Sequence, residues 1–176
     1  MHVLAFSMLL AVMTQATTPD NSDLQKKLDA CVIGVTSMDA LVAAFGPPSN
    51  QKKGKTWHIN GKARRLEEAF YPAVGLTFSL LGNPSELYEI RVENPALSLA
   101  GVKVGSPLES VIKALGEGSW QTTKGAPTFQ LDYQKQGLTF EFERDRSAPQ
   151  FPMKLSAPPV VVRMVRYNGR IQFSGK

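Results

Sequence analysis

The sequence is poor in the residues from which most enzymes and metal sites are made. There is one cysteine, Cys31, in 176 residues. A single thiol excludes an internal disulfide framework and any multi-cysteine zinc or iron–sulfur site. The two histidines are His2 and His58, which leaves no readable nucleophile–base pair and little for metal binding. No glycine-rich phosphate loop of the P-loop or dinucleotide type is present. A membrane-spanning helix needs ~20 apolar residues, and the run from Val3 to Met13 has 11. That length, followed by Thr14-Gln15-Ala16 and then polar residues, fits the core of a secretory signal peptide. We therefore expect residues 1–16 to be a signal peptide. The mature chain would be exported, periplasmic or extracellular, with no integral membrane span. Leu28-Asp29-Ala30-Cys31 looks superficially like a lipoprotein box, but the preceding residues are polar. Cys31 continues the helical spacing of Leu24 and Leu28, which suits a small core residue.

What is present describes a globular chain, 43% hydrophobic and 20% charged. Its clearest feature is internal similarity. Tyr71-Pro-Ala-Val-Gly75-Leu-Thr-Phe78 and Tyr133-Gln-Lys-Gln-Gly137-Leu-Thr-Phe140 share the pattern Y-x-x-x-G-L-T-F. Upstream, the segment from Ser37 to Gly46 aligns with that from Pro107 to Gly116. Downstream, Leu87 to Val92 has a counterpart beginning at Val160. The order is the same in both halves.

Local patterns assign the elements. Ser106-Pro107-Leu108-Glu109 reads as a capping box with proline at the first helical position. Leu108, Val111, Ile112 and Leu115 then form an apolar stripe at helical spacing, and Gly116 ends it. Thr36 and Asp39 play the same part before Met38, Leu41, Val42 and Phe45, with Gly46 at the end. A further helix is expected from Ser22 to Val32. The remainder alternates in the manner of strands, as in Phe129, Leu131, Tyr133 and then Leu138, Phe140, Phe142. Asn60-Gly61 and Asn168-Gly169 are two-residue hairpin signals. The expected fold is α+β: two tandem copies of a helix packed on an antiparallel three- to four-stranded meander. The units are residues 17–99 and 100–176. The connection from Asn94 to Gly101 contains Leu97 and Leu99, so we expect the units to share an apolar interface.

A short helix that ends in Phe45-Gly46-Pro47-Pro48, enters through Gly34-Val35-Thr36 and leads into a meander resembles two secreted groups. One is the SmpA/OmlA (BamE-like) group of small envelope proteins. The other is the tandem α/β fold of secreted β-lactamase inhibitor proteins. The second phrase, Val104-Gly105-Ser106 to Leu115-Gly116, lacks the proline after its glycine. The resemblance implies a fold and a binding role, with no particular partner.

Carboxylates offer little chemistry. Glu141 and Glu143 alternate with Phe140 and Phe142 and should lie on a solvated strand face. The pair Glu67-Glu68 is the other close set. Charge is more informative. The chain has 20 basic and 15 acidic residues. Residues 51–65 carry Lys52, Lys53, Lys55, Lys62, Arg64 and Arg65 with no acid. Without these six, 14 basic residues face 15 acids, so the basic excess sits in this segment. Gly46 to Tyr71 spans 25 positions and Gly116 to Tyr133 spans 17; the first half has 8 extra residues, and they fall here. A hairpin turning at Asn60-Gly61 would put these cations and Trp57 on one projecting ribbon. Trp120 has no equivalent in the first half and is expected in the core or between the units.

The reading is a secreted, non-enzymatic binding module acting through protein–protein interaction, by its sheet face or the groove between units. The alternative is binding of an anionic polymer, a cell-envelope polymer or nucleic acid, through the basic hairpin. Under it Lys52, Lys53, Lys55, Trp57, Lys62, Arg64 and Arg65 are the ligand-binding residues. No catalytic residue, cofactor or metal ligand is expected.

Overall fold

The structure, a computed structural model, describes residues 20–59, 62–82, 85–122, 128–143 and 159–168. The expected signal peptide, residues 1–16, lies outside them. Three helices are present: α1 (Asn21–Ala30), α2 (Met38–Phe45) and α3 (Leu108–Leu115). The strands are β1 (Asn50–Ile59), β2 (Lys62–Tyr71), β3 (Leu76–Leu81), β4 (Glu86–Val92), β5 (Ser98–Leu99), β6 (Val102–Lys103), β7 (Ser119–Thr122), β8 (Thr128–Tyr133), β9 (Leu138–Glu143) and β10 (Val161–Tyr167).

Eight strands form one antiparallel sheet in the order β1-β2-β3-β4-β10-β9-β8-β7, and β5 pairs with β6 alone. This corrects the expected fold of two tandem copies of a helix on its own three- to four-stranded meander. β4 and β10 are hydrogen-bonded in register, Val92 opposite Met164 and Glu89 opposite Tyr167. Two separate meanders would each leave a strand edge with unpaired N–H and C=O groups. Joining β4 to β10 satisfies both edges at once and makes the architecture mainly sheet.

The core lies on one face of this sheet. Ala69, Phe78, Ile90, Met164, Phe140 and Leu131 point to it from successive strands and are fully buried. Leu24 and Leu28 of α1, Leu41 of α2 and Val111 of α3 pack into the same cluster. Each such large side chain contributes roughly 1.5–3 kcal/mol by leaving water. Leu97, Leu99 and Val102, around the β5–β6 turn, join it as well.

Matched hydrogen bonds tie the segments before α2 and α3 to the sheet. Gly34 N–H donates to the Leu87 carbonyl at 2.7 Å and Leu87 N–H to the Thr36 carbonyl at 2.8 Å. Gly105 N–H donates to the Val161 carbonyl at 2.7 Å and Val161 N–H to the Ser106 carbonyl at 2.9 Å. The phenol of Tyr71 donates to the Gly46 carbonyl at 3.1 Å, and that of Tyr133 to the Gly116 carbonyl at 2.8 Å. The tyrosine that opens each copy of the repeated phrase thus reaches back to the glycine that ends the helix of its own half.

Three local expectations are revised. The capping box at Ser106 does not form: Ser106 Oγ accepts from Lys103 N–H, and Pro107 occupies the N-cap position of α3 without a side-chain cap. Ser37, not Thr36, caps α2, accepting from Ala40 N–H. Gly46 and Gly116 have positive φ, 80° and 81°, but extended ψ, −177° and −165°. That combination is almost exclusive to glycine and differs from the left-handed helical cap expected.

Candidate binding surface

Helices cover one face of the sheet, and among the described residues no helix packs on the other. That outer face is built by strand alternation. In β2 the core-facing residues are Ala69 and Tyr71, so Glu68 projects outward. In β3 it is Ser79, in β4 Glu89 and Arg91, in β10 Arg163 and Val165, in β9 Thr139 and Glu141, and in β8 Gln130 and Asp132.

The outer face carries a dense polar network. Arg91 contacts Glu89 at 2.6 Å and Glu68 at 3.4 Å. Arg163, on the far side of the β4–β10 seam, contacts Glu93 at 2.7 Å and Glu141 at 2.9 Å. Burial weighs against the Arg163 charge, but the hydrogen bonds and negative charge of Glu93 and Glu141 outweigh it and raise its pKa. Asp132 accepts from Tyr167 Oη at 2.7 Å, Thr139 Oγ1 at 2.8 Å and Gln121 Nε2 at 3.1 Å. Burial, then the bond to Asp132 and its charge, push the Tyr167 phenol up to about 12. Burial and the Glu89 charge push Tyr88 to about 12 as well. All of these groups except Glu68 and Glu93, which lie beside it, line a shallow cleft of about 420 Å³. Five carboxylates, Glu68, Glu89, Glu93, Asp132 and Glu141, face two arginines, so the cleft region is acidic.

A larger hollow of about 650 Å³ opens at the end of the sheet, between Ile33, the turn from Gln134 to Gly137, and Tyr167 and Asn168. Lys135 is the one charged side chain in that lining. Among the described residues no group of three or more histidine, cysteine or carboxylate side chains could hold a metal ion. None of the helices there is long and apolar enough to cross a membrane.

The basic segment forms the paired strands β1 and β2 at the sheet edge. Ile59 pairs with Lys62, which brackets Asn60 and Gly61; the turn itself lies outside the described residues. β1 is exposed along its length apart from Gly54 and Ile59. Near the sheet, Lys52 sits opposite Glu68 and Lys53 opposite Glu67. A register shift between Lys53 and Thr56 places Gly54 and Lys55 against Leu66. Beyond it Trp57 pairs with Arg64 and Thr56 with Arg65. Continuing the alternation from Glu68, the side chains of Lys52, Trp57, Lys62 and Arg64 lie on the outer face. Lys53 and Arg65 lie on the helix side. None of the six cations makes a side-chain ion pair or hydrogen bond with another described residue. Trp57 is 37% exposed.

The structure thus gathers the residues singled out in the sequence onto one ribbon but divides them between its two faces. Trp120, expected in the core or between the units, is on edge strand β7, 39% exposed and tilted against Phe129 at 5.7 Å. His58 is exposed on β1. The outer-face network was not recognisable from the sequence: Arg163 and Glu93 are 70 residues apart, and only the β4–β10 pairing brings them together.

No family model and no curated protein matches the chain. Solved structures are similar to it. One is described as the uncharacterized protein yfeY from Escherichia coli, 18% identical, with a TM-score of 0.47, covering 78% of this chain and 96% of that one. Another is an extracellular protein containing a SCP domain from Bacillus anthracis, 14% identical with a TM-score of 0.42 over 82% of this chain. A third is the cysteine-rich secretory protein SAV1118 from Staphylococcus aureus, 9% identical with a TM-score of 0.39 over 76% of this chain. The chain spans about half the length of these last two, 49% and 44%.

Proposed function

We propose that the chain is an exported, non-enzymatic binding module that acts by protein–protein interaction, its basic ribbon meeting an acidic surface of the partner. One observation carries this reading. The six cations of the ribbon are unpaired among the described residues, whereas Arg91 and Arg163 are each clamped by two carboxylates. Cations left in water cost nothing, and their field speeds the approach of an oppositely charged surface. Trp57 supplies an aromatic anchor of the kind that concentrates binding energy at interfaces. Export rests on the apolar run from Val3 to Met13.

The test is capture from the native envelope or culture fluid, by the wild type and by a variant with Lys52, Lys53, Lys55, Lys62, Arg64 and Arg65 changed to Gln. An acidic protein that binds the wild type, elutes with salt and is lost with the variant supports the reading. Equal capture by both, or no reproducible protein at any salt, overturns it.

A second reading is favoured by the register of Trp57 opposite Arg64. An exposed ring beside a guanidinium suits an anionic polymer such as nucleic acid or an envelope polymer. Binding of polyphosphate or single-stranded DNA, with a logarithmic salt slope that flattens in the Gln variant, would favour this reading over the first.

A further inference from the structure

The outer face carries two oppositely charged patches side by side. At one end are Lys52, Trp57, Lys62 and Arg64 on β1 and β2. At the other is the acidic cleft over β4, β10, β9 and β8, whose carboxylates outnumber its two arginines. We infer that a second copy of this chain docks face to face on this surface, the ribbon of each copy lying over the acidic cleft of the other.

The geometry of the sheet makes this arrangement closed. Both patches are on the same face, and the strands between them run in the same sheet. Arg64 and Lys62 lie four and six residues past Glu68 along β2, roughly 13–20 Å beyond the height of Glu89 and the cleft. The two-fold axis that superposes ribbon on cleft therefore lies between the facing sheets and is inclined to the strands. That inclined axis carries each ribbon onto the opposing cleft in one operation, with the strands of the two sheets crossing. A patch pair on opposite faces would instead chain copies into an open polymer. Facing sheets sit ~10 Å apart, a gap that lysine and arginine side chains can cross to reach carboxylates.

The surface also fits a weak association better than a permanent one. Apart from Trp57, Leu66, Phe70, Leu81 and Val165 it is mostly polar, and Arg91 and Arg163 already neutralise part of the acid. Attraction is then mainly Coulombic and screened by salt. This dimer uses the ribbon proposed above to hold a partner, so partner and second copy compete for it. Its test needs only the purified chain, so it can fail while the partner reading stands, and the reverse.

Sedimentation of the full chain at low and high salt reads the dimer directly. The expected result is a monomer–dimer equilibrium at low salt that shifts to monomer at ~0.5 M, where the Debye length is only a few ångströms. Lys62→Glu with Arg64→Glu, changes at an exposed and a half-buried position outside the core, should weaken the dimer by about 10-fold or more. Glu89→Lys with Glu93→Lys should do the same from the other side. Mixing the two double variants should restore a dimer, because each reversed patch then meets its complement in both contacts. A wild type that is monomeric at low salt overturns the inference. So does a dimer indifferent to Lys62→Glu with Arg64→Glu. If the acidic-side variant does not fold by circular dichroism, the ribbon variant alone decides between these outcomes. If both variants fold and the mixture stays monomeric, the pairing of ribbon with cleft is wrong.

Discussion

At the scale of residues, the tyrosines do the most for the fold. Tyr71 and Tyr133 reach from the sheet to the carbonyls that end α2 and α3. Replacing either by Phe keeps the packed ring and removes one hydrogen bond. We expect a loss of about 1 kcal/mol for each, read from urea unfolding midpoints. Burial raises the pKa of both, and it raises Tyr88 and Tyr167 to about 12. An unfolded phenol titrates near 10. Between about pH 10 and 12 the folded chain therefore keeps protons that the unfolded chain has released. Stability from these groups is complete below pH 10 and falls as pH rises through that window. Phenolate absorbance should rise late and steeply in the folded protein and near pH 10 in urea. Four tyrosines titrating near 10 in the folded state would contradict this. The tyrosine was legible in the sequence as the first residue of a repeated phrase. Its purpose, a side chain capping a helix end, was not, because the bond joins positions 25 and 17 residues apart.

At the scale of elements, the helices were readable because their stripes are local. Val111 and Leu41 fall where the 3.6-residue period puts the core. The cap of α3 was misread because Ser106 serves the preceding turn, accepting from Lys103. Strand alternation correctly put Glu141 on the polar face, but alternation cannot say which strand lies beside which. Trp120 illustrates the cost: an aromatic side chain reads as core until its strand proves to be the edge. Edge strand β1 is protected against stray pairing by Lys52, Lys53, Lys55 and a register shift. Changing Lys53 and Lys55 to Val should leave stability within about 0.5 kcal/mol, since neither is buried. It should nonetheless raise light scattering on storage, as a ten-residue edge becomes able to pair. Unchanged solubility would show that the bulge alone protects it.

At the scale of the whole molecule, the seam between β4 and β10 joins the two halves. Expressed separately, residues 17–99 would expose β4 and residues 100–176 would expose β10. Each fragment is also of a size at which a single core is marginal. We expect at least one to aggregate or to lack cooperative unfolding by circular dichroism. Two well-folded monomers, each as stable as the whole chain, would refute this. The single sheet could not be read from the sequence because its deciding contact pairs Val92 with Met164, 72 residues on.

That same contact sets the order of events when the chain folds. The pairings of β1 with β2, β2 with β3, β3 with β4 and β8 with β9 each close through a short turn. The seam must wait for a long loop to close, which costs entropy before it returns anything. Early in folding, then, β4 is an open template for any β10 within reach. At high concentration that strand can come from another molecule, exchanging halves between chains. Refolding yield should therefore fall with concentration even in high salt, where charge attraction is screened.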